Sequence, residues 1–180
     1  MDSMLTLNNT TLGPVLSLVL ALAQLIGVVM AGIGIKQMAT AGQNRGQYSH
    51  GAGMGFTLLL CGSLLTSVGG TGAFVSVVMA SFYGDNVSPE MAIATVQATD
   101  GSRAILWMKV VFNILIIIGW ISVIRGLMIL GIAGSKREKG LGAGITHIIA
   151  GMLLTNPTAF ASMVGYTIGQ QEVVQLILPR

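Results

Sequence analysis

Charge is scarce in this chain. Only 8% of its 180 residues are Asp, Glu, Lys or Arg, against about 25% in soluble domains, which excludes an ordinary water-facing surface. His50, His147 and Cys61 are the only histidines and cysteine, too few and too scattered for a set of three or four metal ligands. Cys61 can make no intrachain disulfide, and its Gly/Ser/Leu surroundings read as those of a buried spectator thiol. Aromatic residues are 6% of the chain and are not interleaved with a basic cluster, so no nucleic-acid surface is visible. A protease pair of Ser63 and His147 would still need an oxyanion hole, and no other catalytic grouping is present. The sequence therefore points away from an enzyme, with no catalytic residue, cofactor site or metal site expected.

What is present is apolar. Hydrophobic residues make up 53% of the chain and mean hydropathy is +0.80, values of an integral membrane protein. Uncharged runs at 13–35, 51–84 and 141–171 can cross a hydrocarbon core of about 30 Å. The shorter run 110–124 lies between Lys109 and Arg125, whose long stems can carry their charges toward opposite headgroup layers, so 104–133 also qualifies. The expected fold is all-α with four transmembrane helices. Ala21-Leu22-Ala23 could be read as a cleavage site after a signal peptide, but no cation precedes it and apolar sequence continues to Ile35. The first helix is expected to stay.

The cations set an expected orientation. Lys36 and Arg45 fall after the first run and Lys136, Arg137 and Lys139 after the third, whereas the intervening stretch carries Asp85, Glu90 and Asp100 against Arg103. The positive-inside rule then places the basic loops in the cytoplasm and both termini outside. In the outer loop, Ser88-Pro89-Glu90 has the order of an N-cap, a first-turn proline and an early acidic residue, predicting a short helix from Pro89 to about Ala98 that ends before Asp100-Gly101. Trp107 suits the outer headgroup belt. The apolar tail 172–180 is expected to lie on the membrane or dock on a partner.

The chain also echoes itself. Residues 51–67, GAGMGFTLLLCGSLLTS, align without a gap on 140–156, GLGAGITHIIAGMLLTN, with eight identities; LIGVVMAGI at 25–33 lies over IRGLMILGI at 124–132, with Gly27 over Gly126. Two hairpins follow, 1–100 with the outer loop and 101–180 with the tail, each an apolar helix, a basic loop and a Gly-rich helix. With two spans per half, the repeats are parallel rather than inverted.

Among the 25 glycines, the pairs Gly51/Gly55, Gly140/Gly144 and Gly165/Gly169 have small-xxx-small spacing, and Gly62 and Gly151 keep the Gly-rich helices thin. Such residues let membrane helices approach closely, where lipid removes any hydrophobic drive between them. Gly69-Gly70-Thr71-Gly72 can loosen its helix. The GxGxG stretches lack a following Lys-Ser/Thr and a preceding strand, so they are no phosphate loop. In the fourth run, Asn156-Pro157 predicts a kink, because proline removes a donor and biases Asn156 from helical geometry. His147 and Asn156 read as locally hydrogen-bonded groups or as a relay at a broken helix; the absence of any carboxylate from the four runs favours the first.

A hairpin with a basic cytoplasmic loop and a Gly-rich second helix resembles the plan of type IV secretion pilins. GITHIIAGMLLTNPTAF at 144–160, paired with GAGMGFTLLLCGSLL at 51–65, is similar to the small inner-membrane proteins of type IVB secretion and IncI conjugation systems, the IcmC/DotE, IcmD/DotP and DotV group and the TraQ/TraR-type proteins. The resemblance implies a non-enzymatic component of a protein- or DNA-exporting apparatus in the bacterial inner membrane. Its implied partners are membrane lipid, other apparatus proteins and further copies of itself. A pilin-like filament subunit and a small transporter with a site at helix four are the alternatives.

Overall fold

A computed structural model describes residues 6–43, 49–83, 89–91, 93, 103–133 and 140–169. Arg45, Lys136, Arg137, Lys139 and the tail 172–180 lie outside the described residues. A π-helical turn, Leu7–Leu12, leads into α1 (Gly13–Gln43). There follow α2 (Ser49–Gly70), α3 (Ala73–Tyr83), α4 (Arg103–Ala133), α5 (Leu141–Leu154) and α6 (Pro157–Thr167). Among the described residues there is no strand. Three helical stretches are long and apolar enough to cross a membrane, or four if the bent pair α5–α6 is one span.

Each half is a long helix of 31 residues followed by a broken one. The second helix breaks where glycine makes a turn cheap: Gly72 adopts φ +63°, and the amides of Thr71 and Gly72 both donate to the Ser67 carbonyl, at 3.0 and 2.8 Å. The left-handed conformation is open to glycine at no steric cost. The fourth run, expected as one kinked helix, is two helices meeting at 92°. Proline at 157 has no amide to continue α5, and Asn156 leaves helical geometry at φ −137°, ψ 79°. At 14 residues, α5 extends about 21 Å at 1.5 Å per residue, short of the about 30 Å core.

Lys36 is likewise placed differently from expectation. Helix α1 continues to Gln43, so Lys36 is an exposed helical residue rather than a loop residue. The continuation costs little, because the residues after it, Gln-Met-Ala-Thr-Ala-Gly-Gln, contain no proline.

The two hairpins lie side by side around a buried cluster drawn from both, including Leu16, Leu65, Val75, Ile116, Trp120 and Met152. Gly131 of α4 faces Met30, Leu58 and Cys61 of the first hairpin. Near the other end, Asn113 Nδ2 donates to Asn8 Oδ1 at 2.7 Å, both residues buried. Helices α1 and α4 therefore run in the same direction. Large apolar side chains such as Leu18, Leu25, Val28, Ile118 and Ile121 point outward, which suits lipid as the surrounding solvent.

Candidate functional site

Two glycine seams hold the hairpins. In the first, a Cβ on Gly27 would meet the Gly62 carbonyl at 2.7 Å, and one on Gly34 would meet the Gly55 carbonyl at 2.7 Å. One on Gly69 would press on the Leu20 carbonyl and the Gln24 backbone. The contacts recur every seven residues on both helices, the period at which one face of a helix meets a slightly supercoiled neighbour. In the second hairpin Gly119 faces Gly151, where a Cβ would lie 2.8 Å from the Gly151 carbonyl, and Gly126 faces Gly144 at 2.7 Å from its carbonyl. At these distances only a hydrogen fits, and backbone dispersion and weak Cα–H···O contacts take the place of side-chain packing.

The seams place the glycines singled out by sequence unequally. Gly55, Gly62, Gly144 and Gly151 lie in them, and Gly140 rests against Ala133, 2.7 Å from a Cβ to its methyl. Gly51 is in the first turn of α2, and Gly165 is buried in α6. Gly169 lies beyond α6 with φ +71° and open space around it, so its role is in the turn. The partners Gly27, Gly34, Gly119 and Gly126 were not named as packing residues from sequence. Their signal is the seven-residue interval, which small-xxx-small spacing does not capture.

The seams also correct the internal alignment. Residues 25–33 over 124–132 put Gly27 over Gly126. By contact, the partner of Gly62 is Gly27 and the partner of its repeat mate Gly151 is Gly119, so Gly119 is the structural counterpart of Gly27. The second hairpin is shifted by one seven-residue step from the register that the sequence echo implies.

The two helix breaks come together around a segment that sequence assigned to the outer loop. Pro89, Glu90, Met91 and Ile93 are not helical, which corrects the expected helix at its first turn. The Glu90 amide donates to the Thr155 carbonyl at 3.1 Å, at the end of α5. Trp120 Nε1 donates to the Glu90 carbonyl at 2.9 Å. Met91 packs on Gly72, where a Cβ would lie 2.7 Å from its sulfur.

Elementary accounting explains the convergence. A helix end and an indole N–H within an apolar bundle each need a partner, and one strand of chain supplies both. Trp120 is fully buried and sits close to the midpoint of α4, so the segment enters the bundle to about half its depth. Thr155, also fully buried, donates its hydroxyl to the Met152 carbonyl at 2.8 Å and approaches the Met79 sulfur at 3.5 Å. Glu90 is thus carried to a level where none of the four apolar runs has a carboxylate. Glu90 is half-buried there. No local signal marked it, because the docking partners are 30 and 65 residues away in sequence.

The polar groups of the fourth run serve local needs. Asn156 Oδ1 accepts from the Ala159 amide at 3.0 Å and from the Thr158 hydroxyl at 2.7 Å, capping α6, with Pro157 at the first helical position. His147 Nδ1 lies 2.8 Å from the Ala143 carbonyl, and its own carbonyl accepts from Ser122 Oγ of α4 at 3.0 Å. Nothing brings His147 to Asn156: they sit on either side of two further helical turns.

Comparison of the chain with protein-family models, with curated proteins and with solved structures gives no match. Fold and site together define the class: among the described residues, a helical chain of glycine-seamed hairpins with three or four candidate membrane spans and a short non-helical segment docked between two broken helices.

Proposed function

We propose that the protein is a non-enzymatic, multi-pass component of a bacterial type IVB secretion or conjugation apparatus in the inner membrane, acting by packing. The observation that carries the reading is the pair of glycine seams, which make each hairpin a stiff unit whose outer faces are left to lipid or to neighbouring subunits. In this role both termini face the periplasm, and the basic loops with Lys36, Arg45, Lys136, Arg137 and Lys139 face the cytoplasm and anionic headgroups. Apparatus proteins and further copies of the chain are the partners.

The test is a deletion strain complemented with parent or Gly144→Leu protein. Export or conjugation should be lost on deletion, restored by the parent and not by the variant, and the protein should fractionate with membranes. Recovery in sheared extracellular filaments would favour a pilin-like subunit instead. Export that persists in the deletion strain would sink the reading.

A small transporter is the second reading. Glu90 seated between the breaks of α2–α3 and α5–α6 favours it, since transporter sites are built at discontinuous helices near the midplane. Solute flux into vesicles containing the purified protein would separate it from the first.

A further inference from the structure

We infer that Glu90 is a proton-binding group and that its protonation holds the segment 89–91 in the gap between the two broken helices. The proposal does not depend on a role in export. It rests on where the backbone puts the residue: the Glu90 amide and carbonyl are both bonded, to Thr155 and Trp120, at about half the depth of the bundle. While those two bonds hold, the Glu90 backbone stays at that level. Pro89 is buried beside it, Met91 seals against Gly72, and Glu90 itself is half-buried.

The surroundings supply little to hold a carboxylate. The turn 71–72 has no titratable side chain, and α3 contributes only Tyr83, whose hydroxyl is buried without a hydrogen-bond partner. On α4 the charged groups are Arg103, Lys109 and Arg125, seventeen and eleven residues before and five after Trp120, about 26, 16 and 8 Å away along the axis. On α5 the titratable residue is His147, eight residues before Thr155, its Nδ1 engaged with Ala143. Withdrawal from water, with no cation beside it among the described residues, favours the neutral acid.

The sign follows. A carboxyl whose proton is held more tightly when docked than when free stabilises the docked state fully below the free value, and that stabilisation is lost as pH rises through the docked value. The docked segment is therefore the low-pH state. Raising the pH ionises Glu90, and one proton leaves for water. The carboxylate then draws the segment outward, releasing the Trp120 indole and the Thr155 carbonyl.

Trp120 reports on this directly. The chain has two tryptophans, and Trp107 is exposed, so Trp107→Phe leaves Trp120 as the sole fluorophore. In lipid nanodiscs at rising pH, Trp120 emission should shift to the red and acrylamide quenching should increase several-fold. The midpoint should lie above the ordinary glutamate value of about 4.3. Glu90→Gln should abolish the transition and keep the docked spectrum throughout, and Glu90→Asp should retain a transition. Flat fluorescence in the Trp107→Phe protein, or a transition unchanged by Glu90→Gln, would overturn the proposal; the latter with loss in His147→Gln would assign it to the histidine. If Glu90→Gln fails to fold, difference infrared spectra of the parent and Glu90→Asp decide. A protonated-carboxyl band that titrates with the fluorescence and moves in Glu90→Asp supports the inference, and its absence defeats it.

Discussion

Gly27 and Gly62 face each other so closely that a Cβ on either would lie 2.7 Å from the carbonyl oxygen of the other. The reciprocity makes the two backbones, not their side chains, the contact surface. Where lipid tails are as apolar as leucine, such surfaces give a helix pair a preferred partner and register through dispersion and shape. The second hairpin repeats the arrangement through Gly119/Gly151 and Gly126/Gly144.

The register of the second hairpin is open to cross-linking. In a Cys61→Ala background, Ser122→Cys with His147→Cys should form a disulfide under mild oxidation in membranes, because the Ser122 hydroxyl already reaches the His147 carbonyl. Ser122→Cys with Leu154→Cys should not. The opposite pattern would mean the register of the sequence echo, one seven-residue step away.

The break before α6 rests on a cap and a proline. Asn156→Leu removes the acceptor of the Ala159 amide and the Thr158 hydroxyl and should lower stability by about 0.5–2 kcal/mol, whereas Asn156→Ser keeps an acceptor and should lose less. Pro157→Leu should allow α5 to continue and reduce the 92° bend. Denaturation of the purified variants, with spin-label distances across the break, checks both. Equal stability of Asn156→Leu and Asn156→Ser would show that the cap contributes nothing.

The proposed orientation, which rests on the distribution of cations, is checked by labelling. In the Cys61→Ala background, cysteines at Gln43 or Gly140 should be shielded from an impermeant thiol reagent in intact cells, and those at Asn86 or Gln175 should react. Labelling at Gln43 with protection at Asn86 would invert the topology.

The all-helical fold and its three or four apolar stretches long enough to span were legible because composition and run length act over whole helices, where no local detail can reverse them. The Asn156-Pro157 break could also be read locally, since a missing amide and a steric bias are properties of two residues. The sequence did not reveal its size, which depends on α6 being capped as a separate helix. The register escaped because Gly27 can be laid over Gly126 or Gly119 equally well when glycines recur every seven residues, and only contact decides. Glu90 was misread for a different reason. Ser88-Pro89-Glu90 carries a genuine helix-start signal, but a buried indole and a freed helix carbonyl need partners inside the bundle, and those bonds outweigh a weak local preference.

The glycine seams are the centre of this account, and a matched pair of substitutions tests them most directly. Gly62→Ala and Gly32→Ala make the same chemical change on helices that both gain about 0.5–1 kcal/mol from replacing glycine with alanine. At Gly62 the new methyl would lie 2.5 Å from the Ala31 amide nitrogen, and at Gly32 it would meet nothing within 4 Å. Thermal unfolding of the two purified proteins in the same lipid environment should show Gly62→Ala less stable than the parent and Gly32→Ala equal or more stable. If both shift equally and in the same direction, the backbones are not in contact at Gly62 and the seam does not hold the hairpin.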